Sequence, residues 1–246
     1  MRSKRARALV SSTWTLSNEG MVEGLTSGIS FNSAGTITNS GTVTGVNNAG
    51  VTLGNGGTVT NSGATSLISG GQDGVDIAGG AVINEGTIKG TSFYGVSLYG
   101  AGSVINSGTA ALISGGDTGV NASGGIATVT NEGTITGTNG PGVVFSDISG
   151  TFNNTLVNSG TIIGYGGTAV QFGAGNDLLE IGAGASFTGS VQGGAGSDKI
   201  EFISGANSTF SNFAGFETVA IDSGATWTNS ATLTNIAVTD AGSLFN

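Results

Sequence analysis

Two glycine-rich segments carry the most specific chemical signal in this chain of 246 residues. Gly193-Gly-Ala-Gly-Ser-Asp-Lys-Ile-Glu201 matches the nonapeptide Gly-Gly-x-Gly-x-Asp-x-U-x that binds calcium in tandem repeats. Phe172-Gly-Ala-Gly-Asn-Asp-Leu-Leu-Glu180 matches it at every position but the first. Calcium takes six to eight oxygen ligands, which Asp carboxylates and turn carbonyls supply. Asp177 and Asp198 are therefore the candidate calcium ligands. They lie 21 residues apart, so they can stack if the chain repeats at that length. The competing reading is structural, in which each Asp accepts hydrogen bonds from backbone amides at its turn.

A second group offers acid–base chemistry. Asp73 and Asp76 are close in sequence, and Asp117 occupies the equivalent turn further on. Polysaccharide hydrolysis needs two carboxyl groups roughly 5 to 10 Å apart. However, the chain contains no His and no Cys, and none of Asp73, Asp76 and Asp117 has a Lys or Arg close to it in sequence. The commonest general base, thiol nucleophiles, disulfides and zinc–thiolate sites are thereby excluded. The sequence reads as noncatalytic. Phe93, Tyr94, Tyr99 and Tyr165 fall in turn insertions, and loops on one side of a scaffold are common binding positions. Thr-x-Thr pairs such as Thr36/Thr38 and Thr128/Thr130 suggest a flat Thr array, but Ile83 and Ile105 interrupt the rows.

Charge narrows the partners. Four of the six basic residues, Arg2, Lys4, Arg5 and Arg7, lie at the start, which leaves Lys89 and Lys199 against all fifteen acids in the body. Such a surface repels nucleic acid, whose binding depends on phosphate neutralisation. It also disfavours anionic lipid and polyuronates. No run of about 18 apolar residues is present, so direct membrane insertion is not expected. The basic start resembles the first part of a signal peptide, but the apolar run after it is too short to complete one.

The elements that must position these residues follow from an internal repeat. Asn-(Ser/Glu)-Gly begins at Asn18, Asn39, Asn61, Asn84, Asn106, Asn131 and Asn158, at spacings of 21 to 27 residues. A short β-prone segment precedes each Asn from the second onward, as in Thr58-Val59-Thr60 and Thr128-Val129-Thr130. A second follows the Gly, as in Thr87-Ile88-Lys89, and a third begins Gly-Val, as at Gly74-Val75-Asp76-Ile77. The alternation has period two, which marks strands. With 48 Gly, helices are disfavoured by roughly 1 kcal/mol at each Gly they would contain. Three short strands per 21–27 residues predict a right-handed parallel β-helix of about ten coils. One coil cannot bury its own apolar face, so neighbours must stack. Val59, Val82, Val104, Val129 and Leu156 are expected to point inward, and the Asn residues to align along the axis.

The sequence divides into a basic segment at 1–17, poorly ordered or capping, the Asn-Ser/Glu-Gly repeat at 18–165, and a continuation at 166–246 with Gly/Asp turns and a Phe-rich core. The Val-x-Asn-Ser-Gly-Thr-Ile-x-Gly style of residues 36–164 resembles the passenger repeats of bacterial autotransporters, the type V secretion proteins. The stretch from Gly173 to Asn229, with Gly-Gly-Ala-Gly-Ser-Asp, Asn-Phe-x-x-Phe-Glu-Thr-Val and Trp-Thr, is similar to segments ahead of the translocator in that family. The resemblance implies an extracellular or cell-surface passenger, associated with the outer membrane through a C-terminal translocator barrel that these residues lack. Its implied partners are glycans or proteins on a host or neighbouring cell, and its implied role is adhesion or surface display. No cofactor is expected beyond the candidate calcium. A calcium-stabilised β-roll-like module and a carbohydrate-active β-helix enzyme are the alternatives.

Overall fold

The computed structural model describes residues 13–146, 151–230 and 232–246. The basic residues Arg2, Lys4, Arg5 and Arg7 lie outside the described residues. The chain is an all-β parallel solenoid of about ten turns. Its strands form three parallel sheets of 11, 15 and 3 strands among the described residues. The first sheet is one face of the solenoid, running from Trp14–Asn18 through Gly35–Asn39 and Gly57–Asn61 to Ala237–Asp240. The fifteen-stranded sheet supplies a second and a third face. They are joined where the eleven-residue strand Thr161–Gln171 runs round the corner between them. In the last coils the small sheet Asn207–Ser208, Thr226–Thr228 and Ser243–Phe245 completes the winding. Among the described residues no helix is long and apolar enough to cross a membrane.

Each strand is short because the alternation that buries one edge must end at a turn. In Gly57–Asn61 the buried positions are Val59 and Asn61, and Thr58 and Thr60 face outward. In-register stacking then places like upon like: Ile37, Val59, Val82, Val104, Val129, Leu156, Leu179, Ile200 and Val219 form one aliphatic column. All of these are fully buried. Strand Trp14–Asn18 already stands in this register against Gly35–Asn39, so the winding includes residues from Trp14 onward. The outward Thr row is broken by Ala81, Ser103, Ile83 and Ile105, so no flat Thr lattice forms.

The Asn residues form a continuous ladder. From Asn18 to Asn158, each side-chain amide donates to the Oδ1 of the next coil's Asn at 2.8–2.9 Å. Beyond Asn158 the same register position is taken by Ile181, Phe202 and Ile221. The polar ladder thus gives way to an apolar column, and stacked aromatic rings take up part of the interior. Phe145 stacks on Phe172 at 4.9 Å, and Phe202 stacks on Trp227 at the same distance. Trp227 is fully buried and its indole N–H donates to the Phe210 carbonyl at 2.8 Å, which satisfies the ring's one polar atom.

Candidate functional site

Three successive coils bring a group of polar and aromatic side chains together on the third face. Asp76 sits in strand Val75–Ile77, between Thr52 of the preceding coil and Ser97 of the following one. Val75 and Ile77 belong to the core, so Asp76 and its two neighbours point away from it. Ser97 is nevertheless 0% exposed. Its Oγ and the Oγ1 of Thr52 are buried and have no hydrogen-bond partner. Two hydroxyl groups therefore stand beside one carboxyl group with their hydrogen-bonding capacity unused.

The link from the second face to the third supplies the rest. Asp73 is buried at that corner, and its carboxylate accepts from the Tyr94 backbone N–H of the next coil at 3.0 Å. Burial pushes the Asp76 carboxyl up to about 6, and the neighbouring Asp73 carboxylate adds to the rise. Burial also raises Asp73, against the lowering effect of the Tyr94 amide. The Tyr94 phenol is raised by burial, then by the charges of Asp117, Tyr99 and Asp73. These side chains therefore share one electrostatic neighbourhood. Tyr94 and Tyr99 flank the strand Val96–Leu98 that carries Ser97. Phe93 and Tyr99 are each about half exposed at 49%. The sequence pointed separately to Asp73, Asp76 and Asp117 and to Phe93, Tyr94 and Tyr99. Tyr165 belongs elsewhere, three coils further on and about 14 Å along the axis at the usual strand spacing.

Asp177 and Asp198 do stack, in a different kind of arrangement. The Ala127 amide donates to Asn154 Oδ1 at 2.9 Å, and the Asn154 amide to Asp177 Oδ1 at 2.6 Å. The Asp177 amide then donates to Asp198 Oδ1 at 2.8 Å, and the Asp198 amide to Glu217 Oε2 at 2.7 Å. Each side chain thus closes off a backbone donor of the coil before it. Both aspartates are buried, and burial raises Asp198, with the Asp177 amide lowering it and Glu217 raising it again. One oxygen of each carboxylate is committed to a backbone amide. Among the described residues no group of three or more His, Cys, Asp or Glu is placed to hold a metal ion. A calcium ion held by these two carboxylates would therefore have to draw its remaining oxygens from turn carbonyls and water.

A third arrangement had no clear sequence signal. Glu85 accepts from the Ser62 hydroxyl and the Gly63 amide of the preceding coil, and Glu132 accepts from the Gly108 amide. The loops at 62–66 and 107–111 border a cavity of about 420 Å³ with these two glutamates on its wall. The switch from Asn-Ser-Gly to Asn-Glu-Gly at Asn84 and Asn131 was the available hint: the Glu coil caps the longer loop of the Ser coil before it. No protein-family model matches this chain, and no curated protein or solved structure matches it either.

Proposed function

We propose that this chain is a noncatalytic passenger-type solenoid of the autotransporter kind, displayed on or released from a bacterial surface and working in adhesion or surface display. The observation that carries the reading is the in-register stack of the first sheet, with its Asn ladder from Asn18 to Asn158. Each coil bonds only to its neighbours, so folding can spread coil by coil from either end. No disulfide is needed, since the chain has no Cys. That suits a polypeptide that crosses a membrane unfolded and winds up outside. The acidic body favours partners that are neutral or basic over nucleic acid.

The test is protease accessibility on intact cells of the source organism, with antibody detection before and after lysis. Digestion on intact cells, or recovery of the chain from the medium, is the expected result. Protection until lysis overturns the reading. A carbohydrate-active enzyme is the second reading, favoured by the adjacent Asp73 and Asp76 carboxyl groups. Release of new reducing ends from a polysaccharide, lost in Asp76→Asn, would establish it.

A further inference from the structure

We propose that the third-face patch formed by Asp73, Asp76, Ser97, Thr52, Tyr94 and Tyr99 is a binding site for a neutral, hydroxyl-rich glycan. The inference rests on the adhesive reading above and gives it a place and a ligand class. Two hydroxyls of this patch, on Thr52 and Ser97, are orphaned. A buried hydroxyl without a partner costs about 1–3 kcal/mol, so a surface that keeps one on each side of Asp76 is incomplete by itself. Ser97 is fully buried, and register puts its side chain on the same side of the sheet as Asp76. A hydroxyl can both donate and accept, and a carboxylate only accepts. The row Thr52–Asp76–Ser97 advances about 4.8 Å per coil, so it suits a ligand that also does both at such steps, as hydroxyls on non-adjacent carbons of a sugar ring do.

The aromatic side chains supply the second half of such a site. Tyr94 and Tyr99 stand on either side of the Ser97 strand, and their phenols are near enough to affect one another electrostatically. An aromatic ring offers an apolar face with a polar edge, which matches a pyranose that has C–H groups on its faces and hydroxyls on its rim. Few convergent polar groups beside aromatic side chains are the usual make-up of a small-ligand site.

Charge sets the ligand class. Asp73, Asp76 and Asp117 share this neighbourhood, and beyond Arg7 the sequence has only Lys89 and Lys199 as bases. Uronates and sialylated chains would meet carboxylates with almost no cation to offset them. A metal ion is the other candidate for an acidic patch. Among the described residues no three His, Cys, Asp or Glu side chains are placed to hold a metal ion together, so the cation reading lacks ligands that the glycan reading does not need.

The test uses the purified chain and a panel of neutral oligosaccharides (glucan, mannan, galactan and xylan fragments), with uronate-containing fragments and calcium alone as comparison arms. Binding is read by thermophoresis. At least one neutral oligosaccharide is expected to bind. Its affinity is expected to fall about tenfold or more in Tyr99→Ala and in Asp76→Asn. Tyr99→Phe, which keeps the ring, and Tyr165→Ala, three coils away, should stay within about twofold. Tyr99 is half exposed, so its replacement leaves the fold intact, and the melting temperature checks this. The proposal is overturned if no neutral oligosaccharide binds up to about 10 mM. It is equally overturned if binding is indifferent to Tyr99→Ala, or if only calcium or only uronates bind. Failure here leaves surface display standing, and protection from protease on intact cells leaves the glycan measurement valid.

Discussion

The side-chain amide of Asn84 donates to the Oδ1 of Asn106 across 2.8 Å, and the amide of Asn106 passes the bond on to Asn131 at the same length. Each amide also satisfies backbone carbonyls: Asn106 donates to Thr134 at 3.1 Å and to Ala111 at 3.4 Å. The ladder is therefore a polar network in which every member serves two coils at a buried turn. Asn106→Ala is expected to cost on the order of 3 kcal/mol, because it removes a donor and an acceptor from groups that stay buried. Asn18→Ala, at the end of the row, is expected to cost less, since no further Asn donates to it among the described residues. Urea unfolding of both variants measures the difference. Equal losses would show that the ladder adds nothing beyond local turn bonding.

Glycine is required where coils approach closely. A Cβ on Gly95 would lie 2.6 Å from the Ile113 Cγ2 and 2.6 Å from the Gly119 carbonyl. Gly74 and Gly119 meet Ile88 and Ile135 in the same way. Gly108 has a φ of +85° but open space around its Cβ position. Gly95→Ala is therefore expected to destabilise by about 2 kcal/mol or more, through overpacking against the core. Gly108→Ala should cost only the left-handed backbone penalty of roughly 1–2 kcal/mol. Thermal unfolding of the two variants in parallel decides between them, and the reverse order would sink the argument.

The carboxyl group of Asp76 gives a pH test. Its folded value is raised from 3.8 to about 6, chiefly by burial. A raised carboxyl contributes stability that is fully present below the unfolded value and lost as pH rises through the folded one. Between pH 3.8 and about 6 the wild-type chain should therefore lose the contribution of this group. Asp76→Asn is neutral throughout and escapes that loss. The melting temperature of the variant relative to wild type should rise from about pH 4 to about pH 7.5. A constant difference across that range would mean that Asp76 is not desolvated.

The Asp177–Asp198 column predicts a structural rather than a metal response. Asp198→Asn keeps an acceptor for the Asp177 amide and removes a charge beside Glu217, so stability near neutral pH should hold or rise. Asp198→Ala removes the acceptor and should cost about 1–3 kcal/mol. Calcium and chelator should leave the melting temperature unchanged. A rise with calcium that Asp198→Asn abolishes would establish the metal reading instead.

The sequence by itself determined the solenoid. The period-two runs of Val, Ile and Thr, cut by Asn and Gly at a repeat of 21–27 residues, point to stacked coils that bury Val59, Val82 and Val104 together. The Asn-x-Gly tripeptide also fixed the phase of each coil as far as Asn158, because the same residue serves the same turn each time. Its reach ended there. Ile181, Phe202 and Ile221 hold the continuing position, and an apolar residue in a chain rich in them carries no mark of the ladder it replaces.

Only tertiary pairing decided which side chains share a site. Thr52 and Ser97 flank Asp76 from 24 and 21 residues away, whereas the neighbouring Asn61 and Asn84 repeat at 23. Turn insertions absorb these differences, so counting along the chain does not give the neighbour. The stacking hydrogen bonds do, since a strand that slips by one residue turns its apolar side chains out of the core. That constraint placed two unpartnered hydroxyls beside a carboxyl group, and no local stretch of sequence contains it.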